Sequence, residues 1–236
     1  MEKQNFLYSR KLVLMIQPAT LKFLKDLKKN NSREWFEKNR KPYENAKLNF
    51  IEVTQEIIVQ FGKIDPTISH LEAKKSVFRI NRDVRFSKDK SPYKTNMGMF
   101  LSKSGKNATH AGYYFHLEPG DCFIGGGLYM PMADLLAKVR QEIDYNWNEF
   151  SKIISSKNFI THYNELNTSK EYTLTRPPKG YEADNPAIEF LKMKSWITGK
   201  KISEAELMDK KLIKNTVASF EALQPLIQFF NRAIDG

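Results

Sequence analysis

The sequence predicts an α+β protein: a single antiparallel β-sheet of about four to six strands, covered by N- and C-terminal helices. Three observations predict it. Apolar residues in the first third recur at helical spacing. The middle breaks into short, aromatic-rich runs joined by links too short for crossover helices, so its strands must pair antiparallel. Helical spacing then resumes to the end, which segregates helices from strands instead of alternating them.

Residues 1–17 have no clear period and are read as an N-terminal arm or extension, with the start of translation at Met1 or Met15. The apolar run Leu12 to Ile16 is too short for a signal peptide or a membrane span, so no membrane partner and a cytoplasmic location are expected. Residues 18–236 hold no repeat and no low-complexity linker and are read as one α+β domain. Leu21, Leu24 and Leu27 mark a first helix ended by Asn30-Asn31, and Asn31 with Glu34 resembles a capping box for the next. Pro42 suits the first turn of a third, whose stripe runs through Tyr43, Ala46, Phe50, Val53, Ile57 and Phe61 to a stop at Gly62.

Strands are predicted over Ser76–Arg85, Asn96–Ser102, Gly112–Glu118 and Cys122–Tyr129, with a further one within Lys192–Ile202. Leu135, Leu136, Val139 and Ile143 predict a helix leading on to Trp147 and Phe150. Residues 168–186 read as a Pro-containing loop. The last helix carries Leu212, Ile213, Val217, Phe220 and Leu223, and Pro225 bends or ends it.

Composition limits the function classes. Hydrophobic residues at 41% exclude a disordered tail, and one cysteine, Cys122, allows neither an internal disulfide nor a cysteine cluster for zinc. The four histidines lack metalloprotease spacing, so no metal site is expected, and no cofactor is identified. The net charge of +11 is uneven: residues 22–48 hold nine Lys/Arg against four acids, residues 71–96 hold eight against three, and residues 97–236 are nearly neutral. A lysine-rich helix face explains the first block.

The second block contains the most informative stretch, Phe78-Arg-Ile-Asn-Arg-Asp-Val-Arg-Phe86. As a strand it would put Phe78, Ile80, Val84 and Phe86 on one face and Arg79, Asn81, Asp83 and Arg85 on the other, with Arg82 interrupting the apolar side. Guanidinium forks bind carboxylate or phosphate in a bidentate way, so the polar row suits an anion. The following loop adds Lys88, Lys90, Tyr93 and Lys94. The bland alternative is a surface hairpin whose charges serve solubility and internal salt bridges.

Several motifs identify a resemblance. FRINRDVRFSKDKSPYKTN, GYYFHLEPG at 112–120, GGGLYMP at 125–131 and RPPKGYEADNP at 176–186, with the N-terminal LKFLKDLKKNNSREWFEKNRKPY, resemble an uncharacterised bacterial family of unknown function, DUF2461. Two positions depart from its pattern: Asn185 stands where the family usually has His, and Tyr129 where Trp is commoner. The resemblance implies kinship and brings no established activity.

In the predicted strand Gly112–Glu118, Tyr114, His116 and Glu118 share a face. On the sheet face that carries the arginine row they would form an acid/base constellation with Asp83; the alternative is a half-buried histidine with a local hydrogen bond. Gly125-Gly126-Gly127 matches neither the dinucleotide fingerprint nor the phosphate loop and reads as a bulge or close packing. Cys122 reads as a small buried side chain. Lys179 and Tyr181, in a stiff Pro-containing turn, join the candidates if that turn closes over a ligand.

The function expected is therefore a basic pocket on the sheet for a phosphate- or carboxylate-bearing small molecule. Arg79, Asn81, Arg82, Arg85, Lys88, Lys90, Tyr93, Lys94, Tyr114 and Glu118 would bind, and Asp83 or His116 would move a proton if the protein is an enzyme, which the sequence leaves open. A nucleic-acid-binding module is the alternative, from two basic blocks with Tyr93, Tyr113 and Tyr114 for stacking, and a non-catalytic scaffold is the third. Oligomeric state is not legible.

Overall fold

A computed structural model describes residues 14–106 and 109–236. Of the expected arm, residues 1–13 lie outside the described residues. Leu14 packs against the core, and Ile16 is buried, its N–H donating to the Leu207 carbonyl at 3.0 Å. Helix α1 (Pro18–Lys29) has no side-chain cap from Gln17. Asn49 substitutes from a neighbouring helix, accepting from the Gln17 N–H at 3.0 Å and the Thr20 hydroxyl at 2.8 Å. That satisfies donors which the first helical turn leaves without partners.

Helix α2 (Arg33–Lys38) is capped by Ser32, whose hydroxyl accepts from the Trp35 N–H, and not by Asn31. Asn31 clamps a distant backbone instead, donating to the Tyr93 carbonyl at 2.9 Å and accepting from its N–H at 3.1 Å. Helix α3 (Arg40–Phe61) carries Pro42 in its first turn and stops at Gly62, as the stripe predicts.

The largest departure comes next. Ala73–Ser76 is one helical turn, α4, and the stretch Ser76–Arg85 is not a strand. The chain touches the sheet edge only at the Val77–Met99 bridge and at Phe78, whose N–H donates to the Gly98 carbonyl at 2.9 Å. It then turns away and pairs with itself, through the Asn81–Tyr93 bridge and the Arg82 N–H to Pro92 carbonyl bond of 2.9 Å. Arg82, Asp83 and Arg85 find ionic partners within the loop, and of the expected apolar side Ile80 is buried while Phe86 is not. Phe86, expected on the packed face, is 95% exposed.

Strands β1 (Met97–Leu101), β2 (Gly112–Leu117), β3 (Phe123–Leu128) and β4 (Trp196–Lys201) form one antiparallel sheet in the order β1-β2-β3-β4. The fold is thus α+β, as expected. Between β3 and β4 lie α5 (Ala133–Tyr145), α6 (Trp147–Ser155), α7 (Lys157–Tyr163) and the short α8 (Ile188–Leu191). Asn146 interrupts what the periodicity read as one run into Trp147. The turn α9 (Glu204–Leu207) precedes α10 (Leu212–Asp235), which runs through Pro225 without ending. An interior proline costs about 3 kcal/mol, and burial of Leu223, Leu226, Ile227 and Phe230 around it offsets that cost.

Helices α3 and α10 cover one face of the sheet. There Tyr113, Phe115 and Leu117 are buried, Phe61 stands edge-on to Tyr113 with ring centroids 4.7 Å apart, and Phe50 stands edge-on to Phe115 at 5.9 Å. Gly126 faces this side, and a Cβ there would meet Leu223 of α10 at 2.8 Å, so the glycine permits the helix to close on the sheet. No described helix is long and apolar enough to cross a membrane.

Candidate functional site

The other face of the sheet is open, and its composition follows from register. Gly98 pairs with His116, Phe100 with Tyr114, Tyr114 with Gly125, and Gly125 with Gly199. Alternation therefore puts Gly98, Gly112, Gly125, Gly127 and Gly199 on the same face as Phe100, Tyr114, His116 and Phe123. The aromatics lie over the glycines of neighbouring strands. A Cβ on Gly98 would come within 2.8 Å of the Tyr114 hydroxyl, and one on Gly112 within 2.6 Å of the Phe100 ring. This is a shallow aromatic floor that larger residues would fill.

A cavity of about 620 Å³ stands on that floor, walled by Phe78, Lys94, Lys106, His110, Leu135, Tyr172 and Ile197. Its rim is the turn after β3, where Tyr129, Met130 and Met132 are all exposed. Met130 adopts φ 42°, a left-handed conformation unusual for a side chain of this size. The buried Ser195 holds it there, its hydroxyl accepting from the Met130 N–H at 2.8 Å. Strain retained in this way is characteristic of ligand clamps.

A polar chain runs from the floor to the edge of the sheet. The Tyr114 hydroxyl lies 3.0 Å from His116 Nδ1, which also receives the Asn96 amide at 3.2 Å. An amide nitrogen can only donate, so Nδ1 accepts and the ring proton sits on Nε2, 3.3 Å from Glu118 Oε2. Thr95 donates to the other Glu118 oxygen at 2.8 Å, and Lys28 lies 3.4 Å from it. Burial opposes the Glu118 charge, but hydrogen bonds from Thr95, His116 and Lys28 outweigh it and hold the pKa below the ordinary carboxylate value. Burial, with the Glu118 charge nearby, pushes Tyr114 up to about 12. Its phenol stays protonated at neutral pH, with a base on its proton side and a cavity around its ring. Phe123 stacks on the His116 ring at 4.8 Å and fixes its plane.

The cationic corner lies at Phe78. Lys94 Nζ is 5.5 Å from the centre of that ring and Lys106 Nζ 5.9 Å, close enough for both to interact with its π-face. Lys106 donates to the Val77 carbonyl at 2.7 Å. Among the described residues, neither lysine has a carboxylate within salt-bridge distance. Burial, then the charges of Arg79 and Lys106, lower the Lys94 pKa.

The sequence-predicted candidates divide by position. Tyr114, His116 and Glu118 come together, and of these Tyr114 lines the cavity along with Lys94. Arg79 is exposed, close enough for its charge to act on both Lys94 and Asp83. The others lie apart. Arg85 grips Asp83 through a 2.6 Å contact and holds that carboxyl below its usual range, Arg82 pairs with Asp89, and Lys90 donates to the Val84 carbonyl at 3.0 Å. Lys88 and Asn81 are exposed. Tyr93 is buried and stacked on Phe36 at 3.9 Å, so it anchors the loop to α2 and does not face the cavity. Lys179 is exposed, and Tyr181 packs against the core near Arg140 and Asp144, in a turn that does not wall the cavity.

Cys122 is buried, and desolvation raises its thiol to about 11, as expected for an inert side chain. No group of three or more metal-ligating side chains occurs among the described residues. The reading of the sequence missed Lys106, Phe100 and Tyr172. The first two depend on the register of the β1–β2 hairpin, which pairs Phe100 with Tyr114 and which the sequence alone does not fix. Tyr172 had no signal, because it comes from a long loop.

A family model described as "Conserved hypothetical protein (DUF2461)" matches residues 19–229, nearly the whole chain. No curated protein and no solved structure matches. The chain belongs to that family.

Proposed function

We propose that this member of the DUF2461 family binds a small ligand with a flat apolar body and a carboxylate or phosphate head in the open-face cavity. The carrying observation is the pair Lys94 and Lys106, sharing the Phe78 ring at the wall of an aromatic-floored cavity without carboxylate partners among the described residues. Two ammonium groups held in a concave, largely apolar site favour an anion, because the local dielectric is low and no acid among the described residues pairs with them. The exposed Arg79 adds a third charge close enough to act on Lys94. The apolar body would lie on Phe100, Tyr114 and Phe123, with the methionine turn adapting to its outline.

The same cavity offers a proton relay. A ligand proton would pass to the Tyr114 oxygen as the phenolic proton moves to His116 Nδ1, and Glu118 would stabilise the imidazolium formed. Asp83 plays no part in this reading. We place the protein in the cytoplasm, where its single buried thiol would stay reduced.

The test is an NMR titration of the full chain with para-methylbenzoate and, separately, para-tolyl phosphate. Saturable shifts at Phe78, Lys94, Lys106 and Tyr114 are expected, and the tighter of the two probes identifies the head group. Shifts confined to the 82–90 loop, or none that saturate, would overturn the reading.

One observation favours a second reading, a nucleic-acid contact. Phe86 is 95% exposed with the Arg85 guanidinium 5.8 Å from its ring centre, an arrangement on which an unpaired base could stack. It calls for single-strand binding that weakens steeply with salt and is lost in Phe86→Ala.

A further inference from the structure

The cationic corner carries a further chemical consequence if an anionic ligand enters the cavity, and the inference rests on that reading. The geometry points to Lys94 as an imine-forming amine, directed at an aldehyde or ketone carried by the anionic ligand of the cavity. Three features set Lys94 apart from the exposed lysines. It stands in the cavity wall and not on a convex surface. Among the described residues its Nζ has no hydrogen-bond or ion-pair partner, whereas Lys106 is tied to the Val77 carbonyl and Lys90 to the Val84 carbonyl. It also shares the Phe78 ring with a second ammonium, so one of the two positive charges is disfavoured. The lowered pKa of Lys94, from burial first and then Arg79 and Lys106, agrees with this arrangement. An amine beside another cation in an apolar pocket is the usual means of keeping a lysine nucleophilic at neutral pH.

The division of labour is then specific. Lys106 and Arg79 hold the anionic head, and Lys94 attacks the carbonyl carbon. Its lone pair forms the C–N bond while the carbonyl oxygen takes up a proton. The nitrogen gives up one proton, the carbinolamine loses its hydroxyl as water when a second proton reaches that oxygen, and the protonated C=N bond that results becomes neutral on losing nitrogen's remaining proton. Tyr114, in the same wall and hydrogen-bonded to His116, is the group placed to supply and recover protons. The ligand class is thus an oxo acid or an aldehyde-bearing phosphate.

The test uses para-formylbenzoate with cyanoborohydride, which delivers hydride to the imine carbon and fixes the adduct as a secondary amine. Peptide mapping should find Lys94 labelled first and most heavily at neutral pH, and an excess of para-methylbenzoate should protect it. Lys94→Arg, which keeps the charge but not the nucleophile, should lose that adduct entirely, while Lys90→Arg, in the loop outside the cavity, should leave it unchanged. Labelling spread over the surface lysines, or centred on Lys106, would overturn the inference. If para-methylbenzoate binds and Lys94 stays unlabelled, the imine role fails and the pocket stands. If neither probe binds in the cavity, both fail together.

Discussion

Tyr113 and Tyr114 are neighbours in β2, and they meet opposite surroundings. Tyr113 faces α3 and α10, fully buried, with its hydroxyl donating to Asp65 Oδ2 at 2.7 Å. Tyr114 faces the cavity, with its hydroxyl on His116. Burial raises the pKa of both, so a perturbed pKa alone does not separate a structural tyrosine from a functional one. What separates them is where the hydrogen bond leads. The Tyr113 bond ends on Asp65, whose other oxygen caps the turn Pro66–Ile68. The Tyr114 bond opens a chain of three ionisable groups that starts at a cavity wall. Substitutions on the packed face should therefore move stability, and those on the open face should move binding.

The largest stability effect is expected from Phe115→Ala on the packed face, about 3–5 kcal/mol in a urea titration, since it leaves a cavity between β2 and α3. Tyr113→Phe follows, at about 1–3 kcal/mol, because it strips a partner from the buried Asp65 carboxylate. Its mirror, Tyr114→Phe, should cost less than about 1 kcal/mol, since Asn96 still satisfies His116 Nδ1. An equal loss in the two tyrosine variants would break the comparison.

On the open face, Lys106→Met should weaken probe binding roughly tenfold or more, the worth of one charge-assisted contact, with little change in unfolding. The smallest effect is predicted for Lys94→Met without ligand. Because the folded-state pKa of Lys94 lies below its ordinary value, keeping it charged in the fold costs stability at neutral pH. That cost fades as pH rises through the folded pKa towards 10.5, where the unfolded chain also loses the proton. Lys94→Met should therefore be more stable than the parent at neutral pH by less than about 1 kcal/mol, solvent screening keeping the gain small, with the advantage shrinking in alkali.

How much of this was legible in the sequence depended on period. The stripe through Phe50, Val53 and Ile57 predicted α3, and the alternation in Gly112–Leu117 predicted both the strand and the grouping of Tyr114 with His116. Register was not legible, because a one-residue slip exchanges the faces. The glycines Gly98, Gly112, Gly125 and Gly199 looked unrelated until strand pairing aligned them beneath the aromatics. The Arg79–Arg85 stretch misled for a different reason. Its alternation resembles a strand, but its backbone pairs with Pro92, Tyr93 and Lys94 of its own loop instead of with the sheet, and Asp83 and Asp89 pair with Arg85 and Arg82 there. The density of charge in the sequence marked the loop, whereas the two lysines that wall the cavity stand beside Phe78.

A calorimetric titration of para-tolyl phosphate into the parent chain, Lys106→Met and Arg85→Ala tests the central claim most directly. Binding in the parent, loss in Lys106→Met and no change in Arg85→Ala is the predicted pattern. Loss in Arg85→Ala with binding intact in Lys106→Met would contradict it and return the site to the arginine loop.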